Sequence, residues 1–169
     1  MTRAPIVART SSADETRALA GALAGVLRPG DLILLVGDLG TGKTTFSQGL
    51  ARGLGVTEAV TSPTFTLVRA YRCDGAAGRP GIGTLLHADL YRLDRIREIV
   101  ELGIGEMVED DSVAVIEWGD MAGSLFGPET LTVRLGAEGD EERMVTVEPS
   151  GRWWERADEL AERLRPWKA

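Results

Sequence analysis

The longest unbroken apolar stretch of the chain, Leu32-Ile33-Leu34-Leu35-Val36, predicts a strand covered on both faces, as in a parallel sheet, because no polar residue alternates through it. It runs straight into Gly37. Upstream, Ile6 to Ala8 predicts a short edge strand, and Ser12 with Glu15 three residues later marks a helix start. Leu19, Ala22, Leu23, Val26 and Leu27 then recur at three- and four-residue spacing, which gives that helix one apolar face before Pro29-Gly30 stops the run. Beyond the glycines, Thr44 to Leu54 predicts a second helix, ended by Gly53 and Gly55, with Gly49 lowering its local propensity.

Further along, Thr64 to Arg72 and Leu85 to Leu90 predict two strands that pair as a hairpin, and Asp74 to Gly83 between them is a glycine- and proline-rich loop. Asp94 to Leu102 is predicted helical. Val113-Ala114-Val115-Ile116 is a second buried strand, bounded by Asp110-Asp111-Ser112 before it and Glu117 after it. Leu131 to Leu135 and Met144 to Val147 alternate in polarity across acidic turn residues, the pattern of a half-exposed antiparallel pair. Trp153 to Leu164 is an amphipathic helix closed by Pro166. The sum is an α/β fold, a P-loop NTPase-like three-layer sandwich whose mixed sheet has a parallel centre and added antiparallel strands.

Composition adjusts this picture in four ways. At 169 residues the chain is expected to form one domain, 1–169, and its 43% apolar and 27% charged content is that of a folded protein. One cysteine, Cys73, closes no internal disulfide, and the N-terminus lacks a basic region followed by an apolar stretch. With no apolar run long enough to span a bilayer, the expectation is a cytoplasmic protein without membrane contact. The formal charge of -7 argues against an autonomous nucleic-acid binder, which needs surplus cations to neutralise phosphates.

Among the 19 basic residues only Lys43 and Lys168 are lysines, and Lys43 lies in Gly37-Asp38-Leu39-Gly40-Thr41-Gly42-Lys43-Thr44, the spacing of a phosphate loop. The chemistry explains each residue type. Glycines let the amides of Asp38, Leu39, Gly40, Thr41 and Gly42 turn inward around phosphate oxygens, and the helix that follows adds the positive end of its dipole. Lys43 is a compact charge for the β- and γ-phosphates, and Thr44 offers a hydroxyl to magnesium. The preceding strand and following helix are the context this motif requires.

Other residues admit more than one role. Glu117 closes a buried strand at the end where ligands bind in open α/β sheets, so it either holds magnesium, directly or through water, orients an attacking water, or simply ends the strand. His87 and Asp89 share a strand face. Asp89 suits a magnesium or water-positioning role; for His87 a hydrogen-bonded structural role stands beside a catalytic one. Ser62-Pro63-Thr64 is a switch-like segment that puts Ser62 or Thr64 near a γ-phosphate, or an ordinary proline turn. The chain contains no asparagine, which speaks against the guanine-reading motif of GTPases. A small-molecule kinase and a non-catalytic nucleotide-dependent module remain as alternatives to an ATPase.

Four blocks in order, Gly37 to Phe46, Ser62 to Phe65, His87 to Arg92 and Ile116-Glu117-Trp118, resemble the TsaE (YjeE) family of P-loop ATPases in tRNA threonylcarbamoyladenosine biosynthesis; the likeness spans residues 12 to 120. The resemblance implies ATP hydrolysis, slow in isolation, that supports turnover of the TsaD and TsaB proteins as they modify adenosine 37 of tRNA. The tRNA would be met only through that complex. By the same likeness ATP and Mg2+ are the cofactors, and Lys43, Glu117 and Asp89 are the catalytic residues. Thr44, Asp89 and Glu117 would hold the metal, Thr45 would touch the α-phosphate, and Trp118 would face the nucleotide or a partner. Two departures from the family pattern are the long segment Asp74 to Gly83 and Gly119 where a proline is frequent, just before Asp120.

Overall fold

The buried strand Leu32–Val36 (β2) lies at the heart of a seven-stranded sheet, paired in parallel on both sides. This is the placement its unbroken apolar run requires. The computed structural model describes residues 4–63, 67–75, 78–108, 110–118, 123 and 125–169. Its other strands are β1 (Ile6–Thr10), β3 (Val68–Arg72), β4 (Thr84–Asp89), β5 (Ser112–Glu117), β6 (Thr130–Ala137) and β7 (Arg143–Pro149). The order across the sheet is β1-β7-β6-β2-β5-β4-β3. From β6 to β4 all neighbours are parallel, while β3, β7 and β1 join antiparallel at the flanks.

Alternation along the central strands feeds two cores. Ile33, Leu35, Val113 and Val115 face one side, where they pack with Leu19 and Leu23 of α1 (Ala13–Ala24), Phe46 and Leu50 of α2 (Lys43–Gly53), and Leu160 of α5 (Ala157–Leu164). Leu34 and Ile116 face the other, against Ile99 of α3 (Ile96–Leu102) and Ile104 of α4 (Ile104–Met107). The result is helix, sheet, helix, the expected three layers.

Ser12 caps α1 as its sequence implied, its side chain accepting from the Glu15 amide at 3.1 Å. Glu15 answers one residue further back, its carboxylate accepting from both the amide and hydroxyl of Ser11, which holds its pKa below the ordinary 4.5. Helix α1 ends at Ala24, ahead of Pro29, although Val26 and Leu27 stay buried.

Three elements differ from expectation. Strand β6 does not form a separate pair with β7: it also binds β2 in parallel, Leu32 opposite Thr130, and so joins that hairpin to the main sheet. The predicted helix from Trp153 is a 3-10 segment over Gly151–Arg156 that becomes α-helical only from Ala157. A short helix, α4, follows Gly103, whose φ of 64 ends α3 and opens the next turn. The first three residues of the predicted strand Thr64 to Arg72, and part of the Asp74 to Gly83 loop, lie outside the described residues.

Candidate functional site

The C-terminal ends of β2, β5 and β4 stop side by side, with Leu35 opposite Glu117 and Glu117 opposite Asp89. Because side chains alternate along a strand, His87, Asp89 and Glu117 share the α2 side of the sheet with Val113 and Val115. Helix α2 opens above them at Lys43. Sequence positions far apart are thus gathered by register alone.

Between β2 and α2 the chain makes a tight loop. Gly42 caps the helix at φ 99, in the left-handed region that a side chain resists. Gly37 is needed for space, since a Cβ there would lie 2.5 Å from the Leu135 carbonyl oxygen. Within the loop, the Asp38 carbonyl accepts from the Thr41 hydroxyl at 2.8 Å and from Lys43 Nζ at 2.8 Å, and the Gly37 carbonyl accepts from Nζ at 2.6 Å. Lys43 is 5% exposed.

Above that ammonium lies an aromatic ring. Nζ of Lys43 sits 3.8 Å from the Trp118 ring centroid, a cation over a π face. Trp118 adopts φ 63, a left-handed conformation costly for a bulky residue, which the chain takes directly after the last residue of β5. Tyr91 packs beside it at 4.9 Å between centroids.

The acidic residues are held from several directions. Thr44 Oγ1 donates to Glu117 Oε1 at 3.0 Å, and His87 Nε2 meets Glu117 Oε2. His87 Nδ1 has no partner, so the proton is assigned to Nε2, where it serves as a donor to the carboxylate. Asp89 Oδ2 accepts from Ser62 Oγ at 2.8 Å and Oδ1 from the Tyr91 amide at 3.0 Å. Glu117 and Asp89 are both buried.

These residues line one cleft of about 510 Å³: Lys43, Thr44, Thr45, Ser62, Asp89, Glu117 and Trp118, with Leu39, Gly40 and Gly42 of the loop. Two further lining residues, Tyr91 and Arg143, were not singled out from the sequence. Tyr91 belongs to the block His87 to Arg92; Arg143, at the start of β7, carries no local signal. Of the loop residues named from sequence, Asp38 and Thr41 act through carbonyl and hydroxyl contacts behind the cleft rather than on its wall. Thr64, Gly119 and Asp120 lie outside the described residues. Arg92, Arg95 and Arg97 are exposed and none lines the cleft, with Arg97 3.6 Å from Glu101 on its own helix.

A buried parallel strand, a glycine loop, and a helix that opens on its one lysine and the following threonine define the P-loop class of α/β proteins. The sequence model described as "Threonylcarbamoyl adenosine biosynthesis protein TsaE" matches residues 10–145. The chain belongs to the TsaE family. Similar proteins include the tRNA threonylcarbamoyladenosine biosynthesis protein TsaE of Bacillus subtilis, 37% identical over 147 residues that cover 87% of each chain. That of Streptomyces coelicolor is 42% identical, over 84% of this chain and 95% of its own. A crystal structure of YdiB from Bacillus subtilis superposes with a TM-score of 0.77 at 33% identity, covering 96% of this chain and 97% of that one. The family match reaches residue 145, past the last motif block at Trp118, and so takes in Arg143 and the turn before it.

Proposed function

We propose that this chain hydrolyses ATP with Mg2+ in the cleft beneath Trp118, and that hydrolysis supports formation of threonylcarbamoyladenosine at position 37 of tRNA by the TsaD and TsaB proteins. The observation that carries the chemical half is the 3.0 Å approach of Thr44 Oγ1 to Glu117 Oε1 beside a lysine-bearing phosphate loop. Membership of the TsaE family supports the biological half.

The donor set suits the metal. Thr44, Glu117 and Asp89 offer a hydroxyl and two carboxylates, the hard oxygens magnesium takes, and magnesium tolerates few protein ligands because it keeps waters and leans on phosphates. Among the described residues no three His, Cys, Asp or Glu side chains are grouped to hold a metal by themselves, so phosphate oxygens would complete the shell. Bound there, the ion would neutralise charge on the β- and γ-phosphates.

The chain's own residues do the rest. Lys43 reaches the phosphates by exchanging the carbonyls of Gly37 and Asp38 for phosphate oxygens. The amide of Thr45, in the first turn of α2, meets the α-phosphate. Asp89, held by Ser62 and the Tyr91 amide, positions water, and Glu117 is fixed by Thr44 and His87 so that its charge faces the reacting end. With a net charge of -7 the chain meets tRNA through its partners rather than directly, and the same reading places it in the cytoplasm.

ATP hydrolysis measured with and without purified TsaD, TsaB and tRNA tests the proposal. Stimulation by the partners, lost in Lys43→Ala, is expected. Turnover preserved in Lys43→Ala, or a rate indifferent to the partners, ends it.

A further inference from the structure

Arg143 begins β7, a hundred residues beyond the phosphate loop, yet its guanidinium lies against that loop's outer side. Nε donates to the Thr41 carbonyl at 3.0 Å and Nη2 to the Gly40 carbonyl at 3.3 Å. The remaining bonds return to its own turn: Nη1 to the carbonyls of Gly139, Asp140 and Glu142, and Nη2 to that of Asp140. One side chain therefore staples the β6–β7 turn to the loop between β2 and α2.

We infer that Arg143 is a positioning residue of the phosphate site, which aims the loop's amides and supplies its second fixed positive charge. This rests on the ATP-binding reading above. A trans peptide is planar, so each carbonyl points away from the amide that follows it. With the Gly40 and Thr41 carbonyls pinned outward, the amides of Thr41 and Gly42 are turned to the opposite side; that of Thr41 donates within the loop to the Asp38 carbonyl at 3.3 Å, and that of Gly42 is the one turned toward an incoming anion. Amides fixed in advance need no reorganisation when an anion arrives.

The charge argument is independent of the amides. Glu138, Asp140, Glu141 and Glu142 surround Arg143 in sequence, but Glu138 pairs with Arg9, and every hydrogen bond of Arg143 among the described residues goes to a backbone carbonyl. Carbonyls orient a guanidinium without cancelling its charge. The side chain also lines the cleft, with Nε 4.0 Å from where a Cβ on residue 42 would stand. A tie serving the hairpin alone would not need to face the loop that Gly42 and Lys43 form.

Calorimetric titration of Mg-ADP into wild type, Arg143→Ala and Arg143→Lys separates the possibilities. A positioning role raises the dissociation constant about tenfold in Arg143→Ala with stoichiometry near one, and Arg143→Lys, which keeps the charge but cannot hold two carbonyls at once, falls between. A residue needed only for folding would instead lower the stoichiometry at unchanged affinity, and that result overturns the inference, as does an Arg143→Ala affinity within twofold of wild type. Should Arg143→Ala not fold, Arg143→Lys decides: about threefold weaker binding supports the role and wild-type affinity removes it. Failure of the wild type to bind Mg-ADP would strike the ATP reading instead.

Discussion

The hydroxyl of Thr44 and the carboxylate of Glu117, 73 positions apart in sequence, are joined at 3.0 Å, so the first turn of α2 and the last residue of β5 hold each other at the cleft. The second oxygen of that carboxylate is taken by His87. Glu117 has no freedom to swing away, which suits a group whose charge must be in place before reaction.

Glu117→Gln keeps the shape and still accepts from Thr44 while losing the charge. Hydrolysis should fall by about 10²-fold or more, with Mg-ADP affinity changed only a few-fold. Single-turnover hydrolysis and calorimetry read the two effects. Undiminished hydrolysis would mean that this carboxylate is only a strand terminus.

His87 is fully buried and its bond to Glu117 is the one polar contact it makes among the described residues. His87→Leu should cost about 1–3 kcal/mol in urea unfolding, because a buried carboxylate loses a donor. His87→Gln, whose terminal amide can reach the same oxygen, should recover part of that loss and part of the activity. Equal stability in the two variants would deny the bond any role.

At the far end of β2, Arg156 grips Asp31 with two bonds of 2.7 and 2.9 Å, donates to the Val26 carbonyl, and stacks 3.8 Å over Trp153. Both partners are largely buried. Arg156→Leu should destabilise by about 3 kcal/mol, since it leaves a buried carboxylate without its cation, and the Asp31→Leu/Arg156→Leu double variant should recover much of this. Mg-ADP affinity of the folded variants should match wild type, because the pair lies at the sheet end away from the cleft. A single variant as stable as wild type in urea would refute the estimate.

Burial, and then the neighbouring Asp74 charge, push the Cys73 thiol from the ordinary 9.0 up to about 11. The neutral thiol is favoured in the fold, so its contribution to stability is complete below pH 9 and is lost as pH climbs from there through 11. At pH 8 the native thiolate fraction is about a hundredth of that in the unfolded chain. Iodoacetamide should therefore label the native protein about 10²-fold more slowly than the urea-unfolded one. Similar rates would place Cys73 at the surface.

Much of this was written locally in the chain. The block Leu32 to Val36 could only be a strand covered on both faces, and His87 and Asp89 could be assigned to one face of their strand by counting in twos, while Glu117 joins them through the β4–β5 register. What local pattern lacks is the identity of the neighbour. Alternation in β6 told which residues face inward, but not that β6 would bind β2 as well as β7. The same limit hid Arg143, whose partners are carbonyl oxygens that every residue possesses and no side chain announces. Near Trp153 the departure from a regular helix accompanies Arg156, at φ -108 and ψ 6, and its long-range bond to Asp31. The helix read as ending at Leu102 is followed, past Gly103, by one more helical turn that no local pattern announced.

Leu32 has Ala114 on one side and Thr130 on the other. A ribosome that has released the chain only as far as Met107 has therefore delivered every glycine of the phosphate loop and neither of the strands that hold its base. Nucleotide affinity in this protein should be absent throughout most of translation and arise in the last stages of synthesis, when the distant strands close on β2 and the loop acquires a floor.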